Sequence, residues 1–194
     1  MKSRFSAGAL VALVGLVLVL LVGAVGVVSY ISAFNFGNRM EQTIKATYEN
    51  NQNILTAYSQ KVLEAAQVTD MARDDIIKVT REAISGRYGA EGSKAVFQML
   101  TEQNPQVSEK LYVKLQQLVE AGRDEFKTNQ TRLIDQKTVY NTALGSFWRG
   151  TWLGVAGYPK ANLDDYKVII TDGVAQTFKT GRESAPLQLR PQAN

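Results

Sequence analysis

The sequence predicts an all-α protein, in which a single N-terminal transmembrane helix leads into a long antiparallel helical hairpin or bundle of three to four helices. Three observations carry that reading. No charged side chain lies between Arg4 and Arg39, and inside this gap Leu10 to Val28 reads LVALVGLVLVLLVGAVGVV. Two later stretches repeat apolar or small residues at intervals of three and four, the spacing of one helix face. Between them stands GRYGAEGS, Gly86 to Ser93, whose glycines interrupt a helix.

The first element is the apolar run. A bilayer core about 30 Å thick needs about 20 apolar residues in a helix to cross it. Lipid offers no partner to backbone polar groups, so the run must be helical there. Leu10, Leu16, Leu20 and Val28 mark the expected transmembrane stretch. A cleaved secretory signal has an apolar region of only about 7–15 residues and small residues around its cleavage site. Here the run is longer, and bulky Ile31 stands two residues before Ala33, a candidate cleavage position. The expectation is an uncleaved, single-pass anchor in the cytoplasmic (inner) membrane. Gly8 and Ala12 form one small-xxx-small pair, although a lone helix in lipid is the plainer reading. Tyr30, Phe34 and Phe36 fall where an aromatic belt would lie. Lys2 and Arg4 favour a cytoplasmic N-terminus, nearly offset by Arg39 and Lys45, so the positive-inside rule leans only slightly toward a main domain outside the cytoplasm.

After the anchor, the series Tyr48, Asn51, Leu55, Tyr58, Val62, Ala65, Thr69, Ala72, Ile76, Val79, Ala83 forms a heptad-like stripe. It predicts a helix over about residues 36–85, continuous with the anchor. Past the glycines, Val96, Phe97 and Leu100 make a short amphipathic piece over 94–102. Asn104 and Pro105 then suit the cap and first position of a second long helix. Its stripe is Leu111, Leu115, Leu118, Gly122, Phe126, Asn129, Leu133, Gln136, Tyr140, Ala143 and Phe147, and it ends near Gly145 to Gly150. Neither helix buries its stripe alone, so the two fold back on each other. At 1.5 Å per residue, a helix of about 50 residues reaches roughly 75 Å and a return helix of about 42 comes back roughly 63 Å, which sets its end near the membrane. Residues 166–170 suit either a short strand or a helix, and 181–194 a disordered tail. The organisation expected is a tail and anchor over 1–38, a bundle over 39–160 and a C-terminal segment over 161–194.

Composition removes several function classes. The chain has no cysteine and no histidine, which excludes thiol and histidine-based catalysis and a typical structural zinc site. Its 22 basic and 18 acidic residues include Lys2 and Arg4 in the tail, so the remainder is close to neutral and shows no basic stripe for nucleic acid. No phosphate-binding loop occurs. Gly86, Gly89 and Gly92 follow a helix and read as a breaker. Asp74 and Asp75 are helix neighbours that do not face each other and read as a solvated face. Asp164 and Asp165 carry the oxygen ligands a cation takes, but capping a helix is the commoner use of such a pair. No cofactor and no metal is expected.

The second half resembles a known family. Met99-Leu100-Thr101-Glu102-Gln103-Asn104-Pro105 followed by Leu115-Gln116-Gln117-Leu118, and Val139-Tyr140-Asn141-Thr142-Ala143-Leu144-Gly145-Ser146-Phe147, resemble signature segments of the LemA family, as does Asn38-Arg39 after the span. Asn51-Gln52-Asn53-Ile54-Leu55 lacks the family's proline, Phe147-Trp148 replaces its Phe-Pro, and its Arg-Tyr-Asn repeat is blurred into Thr131-Arg132-Leu133-Ile134, as in a divergent member. The resemblance covers the layout of residues 1–160 and is specific over 99–147. It implies an antiparallel helical bundle on a bacterial membrane anchor and a short N-terminus outside the cell, opposite to the lean of the positive charges, and it brings no established enzyme activity and no known catalytic residues.

The one candidate site is the segment from Phe147 to Pro159, which holds both tryptophans. Trp148, Arg149, Trp152 and Tyr158 are expected either to close the end of the bundle or to form a second foot in the membrane interface, with Arg149 near lipid phosphates. The function expected is a non-catalytic, membrane-anchored scaffold or protein-interaction module. The alternative is an accessory or sensor subunit contacting a partner membrane protein or enzyme. Its partners would be the lipid bilayer and either further copies of itself, joined through the stripes, or another membrane protein, and no nucleic acid.

Overall fold

A computed structural model of the chain describes residues 7–67, 73–103 and 108–169. Among them the regular structure is entirely helical: α1 (Ala7–Ala66), α2 (Arg73–Ser85), α3 (Gly92–Gln103), α4 (Glu109–Gly145) and α5 (Phe147–Val155), with single 3-10 turns at Gly89–Glu91 and Leu163–Asp165. The protein is all-α, with five α-helices among the described residues.

The 60-residue α1 joins the anchor to the first stripe without interruption. Leu10, Leu16, Leu20 and Val28 are all more than half exposed. No residue of the apolar run is buried, and the helix is long and apolar enough to cross a membrane.

The first helix stops earlier than the stripe suggests. It ends at Ala66, and Gln67 takes the left-handed backbone conformation at φ 50°. The stripe members Thr69 and Ala72 lie outside the described residues, as do Asn104 and Pro105, the expected start of the second long helix. The stripe resumes in α2, where Ile76, Val79, Thr80, Ala83 and Ile84 are buried. α2 packs on α3, and a straight α1 could not have carried that face to a third helix. Asp74 and Asp75 occupy the first turn of α2, where carboxylates favour the helix dipole, and both are exposed. Residues 167–169 form neither strand nor helix, and 170–194 lie outside the described residues.

Two compact units are present, Met1–Ala46 with Ile134–Tyr166 and Thr47–Leu133 with Lys167–Asn194. In the second, Val62 of α1 meets Ile76, Val79 and Ala83 of α2, Val96 and Leu100 of α3, and Leu115 and Val119 of α4. A smaller cluster joins Ile54, Ile84 and Phe126. The stripe residues in these two clusters are thus buried within the unit. Register between α1 and α4 is pinned by a polar contact: buried Asn129 donates through Nδ2 to the Thr47 carbonyl at 3.1 Å and to Asn51 Oδ1 at 3.0 Å. Arg123 reaches across to the Ala83 carbonyl at 2.9 Å, closing the last turn of α2.

Leu115 is fully buried and Val113, two residues earlier, is 54% exposed. Leu115→Ala is therefore expected to cost about 2–5 kcal/mol through a cavity. Val113→Ala is expected to stay within about 0.5 kcal/mol. Urea unfolding of the detergent-solubilised chain, followed by circular dichroism, separates the two.

Candidate membrane-interface site

The first unit is built where α4 runs back along α1 and the chain then turns. α4 ends at Gly145, and Ser146 is extended, with its hydroxyl donating to the Ala143 carbonyl at 2.7 Å. The Gly150 amide donates to the Ser146 carbonyl at 2.7 Å. A Cβ at Gly150 would strike the Leu144 carbonyl, so only glycine lets α5 fold this tightly against the end of α4. Leu153 turns inward and is fully buried. Trp152 lies against α1 at Gly26, 3.5 Å from where a Cβ would stand. Gly26 belongs to the apolar run itself, so α5 lies against the end of that run.

The other aromatic groups gather around that contact. Trp148 meets Trp152 edge to face, with ring centroids 5.9 Å apart. The Arg149 guanidinium sits 4.6 Å from the centre of the Phe36 ring. Beyond α5 the chain reverses, and the Tyr158 amide donates to the Leu153 carbonyl at 2.9 Å. The Tyr158 ring then covers Gly37, where a Cβ would come within 2.8 Å of it, and stands T-shaped to Phe34 at 5.9 Å. The Lys160 ammonium lies 4.8 Å from the Phe34 ring and 4.6 Å from that of Tyr158.

One buried carboxylate holds this return in place. Oε1 of Glu41 accepts from the Tyr140 hydroxyl at 2.7 Å, the Lys160 amide at 2.7 Å and the Ala161 amide at 3.2 Å. The Tyr140 phenol is held well above its ordinary pKa, first by burial and then by its hydrogen bond to Glu41 and that group's charge. Lys137 adds a bond from its ammonium to the Tyr166 carbonyl at 3.0 Å.

The four expected interface residues divide. Trp148 is 57% exposed, Arg149 is exposed and Trp152 is half-buried. Tyr158 is only 6% exposed, so it is a packing residue of the unit and not a lipid-facing group. Two further residues join the exposed set. Phe147, which the spacing had assigned to the buried stripe, is 89% exposed, because the helix phase breaks at Ser146. Val155, which the spacing did not pick out, is 64% exposed. Two open grooves flank Trp148 and Arg149. One, of about 250 Å³, runs beside Val28, Ser29, Ser32 and Trp152. The other, of about 550 Å³, is mostly apolar and runs beside Phe36, Val139 and Thr142.

The remaining sequence candidates behave as scaffolding. Gly86 and Gly89 lie in the turns between α2 and α3, and Gly92 opens α3. Asp164 and Asp165 are capped by Asn162, whose Oδ1 accepts the Asp164 amide at 3.2 Å and whose Nδ2 donates to Asp165 at 3.2 Å. Among the described residues no three acidic side chains are placed to hold a metal ion. Compared with family models, curated proteins and solved structures, the chain matches none of them.

Glu41→Ala strips the acceptor from a buried phenol and two amides, each costing about 1–3 kcal/mol when unpaired. Hydrogen exchange at the Lys160 and Ala161 amides is expected to quicken on the order of tenfold or more, while Glu41→Gln, whose Oε1 still accepts, changes it less. The elevated Tyr140 pKa also sets an alkaline limit. The unfolded phenol loses its proton near pH 10 and the native one only above that, so this stabilisation is complete below about pH 10 and is lost as pH rises past it. Tyr140→Phe is expected to be less stable at neutral pH but to decline less steeply above pH 10, as measured by thermal unfolding across pH.

Proposed function

We propose that this chain is a membrane-anchored helical scaffold or protein-interaction module of the LemA type, held in the cytoplasmic membrane by an uncleaved Leu10–Val28 span. The observation that carries the reading is the continuity of α1 through Ala33. Ala33 is 4% exposed within the unit, and Trp152 packs on Gly26, upstream of that candidate cleavage position. Cutting there would remove the residues on which α5 rests. Among the described residues the rest is mostly helix packed on helix, with stripe residues such as Val62, Ile76 and Leu115 buried between them. That arrangement offers an outer surface to partners.

Carbonate extraction of membranes and intact mass of the recovered protein test the anchor. The expected outcome is a membrane-retained chain with the full 21.4 kDa mass, and a shortened soluble chain would overturn it. Cross-linking in native membranes, followed by purification and light scattering, tests the scaffold. Cross-linked copies or a defined neighbouring membrane protein are expected. A monomer with no cross-linked neighbour would overturn the interaction role and leave only the anchor.

A further inference from the structure

The first unit carries more exposed apolar surface than its fold explains. α5 is nine residues long, yet Phe147, Trp148 and Val155 are 89%, 57% and 64% exposed. Scattered apolar residues on a surface need no account, but three on one short helix with a half-buried tryptophan do. Their height along α1 supplies one. The apolar run ends at Val28, and the polar headgroup layer outside a bilayer core is about 5–7 Å deep on each side. At 1.5 Å per residue that layer corresponds to about the next five residues, ending near Ala33. The smaller groove is lined by this very stretch, Val28, Ser29 and Ser32 on α1, and by Trp148, Arg149 and Trp152 on α5. Its polar groups are hydroxyls, indole N–H groups and a guanidinium. No carboxylate lines either groove, and from Met1 to Met40 the sequence holds no acid at all. Among the described residues, Arg149 meets an aromatic face and not an acidic partner.

Resting on the membrane-anchor reading, we propose that α5 is an interfacial helix and that the groove between α1 and α5 binds the phosphate headgroup of an anionic phospholipid. Phe147, Trp148 and Val155 bed in the leaflet that α1 leaves at Val28. Arg149 supplies the charge for the phosphate, and Ser29 and Ser32 stand at its edge as hydroxyl donors. The occupant is lipid because the exposed face of α5 continues the lipid-facing surface of α1, the two being joined at the Trp152–Gly26 contact. Tryptophan suits this depth, with an apolar body for the acyl boundary and an N–H for the headgroups. Tyr158 and Lys160 sit behind the site, fixing the return of the chain.

The test uses the full chain reconstituted in phosphatidylcholine vesicles with and without phosphatidylglycerol. Since Trp148 and Trp152 are the two tryptophans of the chain, their emission reports α5 directly. Lipids brominated near the headgroup end of the acyl chain are expected to quench this emission, and more strongly than aqueous iodide does. Trp148→Phe and Trp152→Phe assign the signal to each ring. Arg149→Gln is expected to weaken the enrichment of phosphatidylglycerol around the protein about fivefold, with quenching in phosphatidylcholine retained. A chain that stays carbonate-resistant while its tryptophans are quenched by iodide and not by brominated lipid overturns the inference and leaves the anchor intact. A chain released by carbonate overturns the anchor reading itself. Unchanged phosphatidylglycerol enrichment in Arg149→Gln overturns the headgroup site.

Discussion

The first unit depends on a single carboxylate oxygen. Removing Glu41 from water is costly unless its charge is matched, and here three donors converge on Oε1 from two directions in the chain. The Tyr140 hydroxyl comes from α4, fixing how far that helix has travelled back along α1. The Lys160 and Ala161 amides come from beyond α5, fixing where the chain emerges after its reversal. Between those two anchors, α5 has little freedom in position. A hydroxyl acceptor on a shorter side chain would not reach, and a lysine would bring donors where acceptors are needed. The carboxylate thus converts a short helix with a largely apolar exterior into a part with a defined height along α1.

The second unit solves its own problem by ordinary means. Four helices enclose a branched aliphatic core, and the polar residues within the stripe specify register more than they add stability. Asn129 satisfies its amide against Asn51 and a backbone carbonyl, so a slip of α4 by one turn would leave Asn129 Nδ2 and Asn51 Oδ1 unpaired in an apolar setting. The same logic places Arg123 under the end of α2, where its guanidinium completes the Ala83 carbonyl. The two units therefore draw on different physics, one on a charge-assisted node and aromatic stacking, the other on aliphatic burial with a polar pin.

Much of this was legible before the fold was known. The apolar run, the glycine break and both stripes follow from composition and spacing, and Asn51, Val62, Ile76, Leu115, Phe126 and Tyr140 are buried where the spacing puts them. Three features were not legible. The stop at Ala66 has no proline or glycine to signal it, because the stripe carries on in phase into α2 and conceals the change of direction. Phe147 fits the period of α4 and yet points outward, since the phase is reset at Ser146 by a turn whose tightness comes from Gly150. Tyr158 looks like an interfacial aromatic in a linear reading. Its place is set by Gly37, more than a hundred residues away, which spacing along the chain cannot reveal.

Gly150 and Gly37 also explain why the aromatic cluster is divided as it is. Gly150 removes the one atom that would push α5 off the end of α4, and so leaves Phe147 and Trp148 on the outer side. Gly37 opens a flat seat on α1 that draws Tyr158 inward. Trp152 lies between these two outcomes, half on Gly26 and half open. Side chains of one chemical type are thereby sorted by backbone clearance into those that hold the unit together and those that face outward. If hydrophobicity alone decided their placement, all four rings would have been expected inside. Their division between packing and exposure is a consequence of where glycine permits close approach. Trp152 rests on Gly26 of the apolar run, and exposed Trp148 shares with it the groove beside Val28.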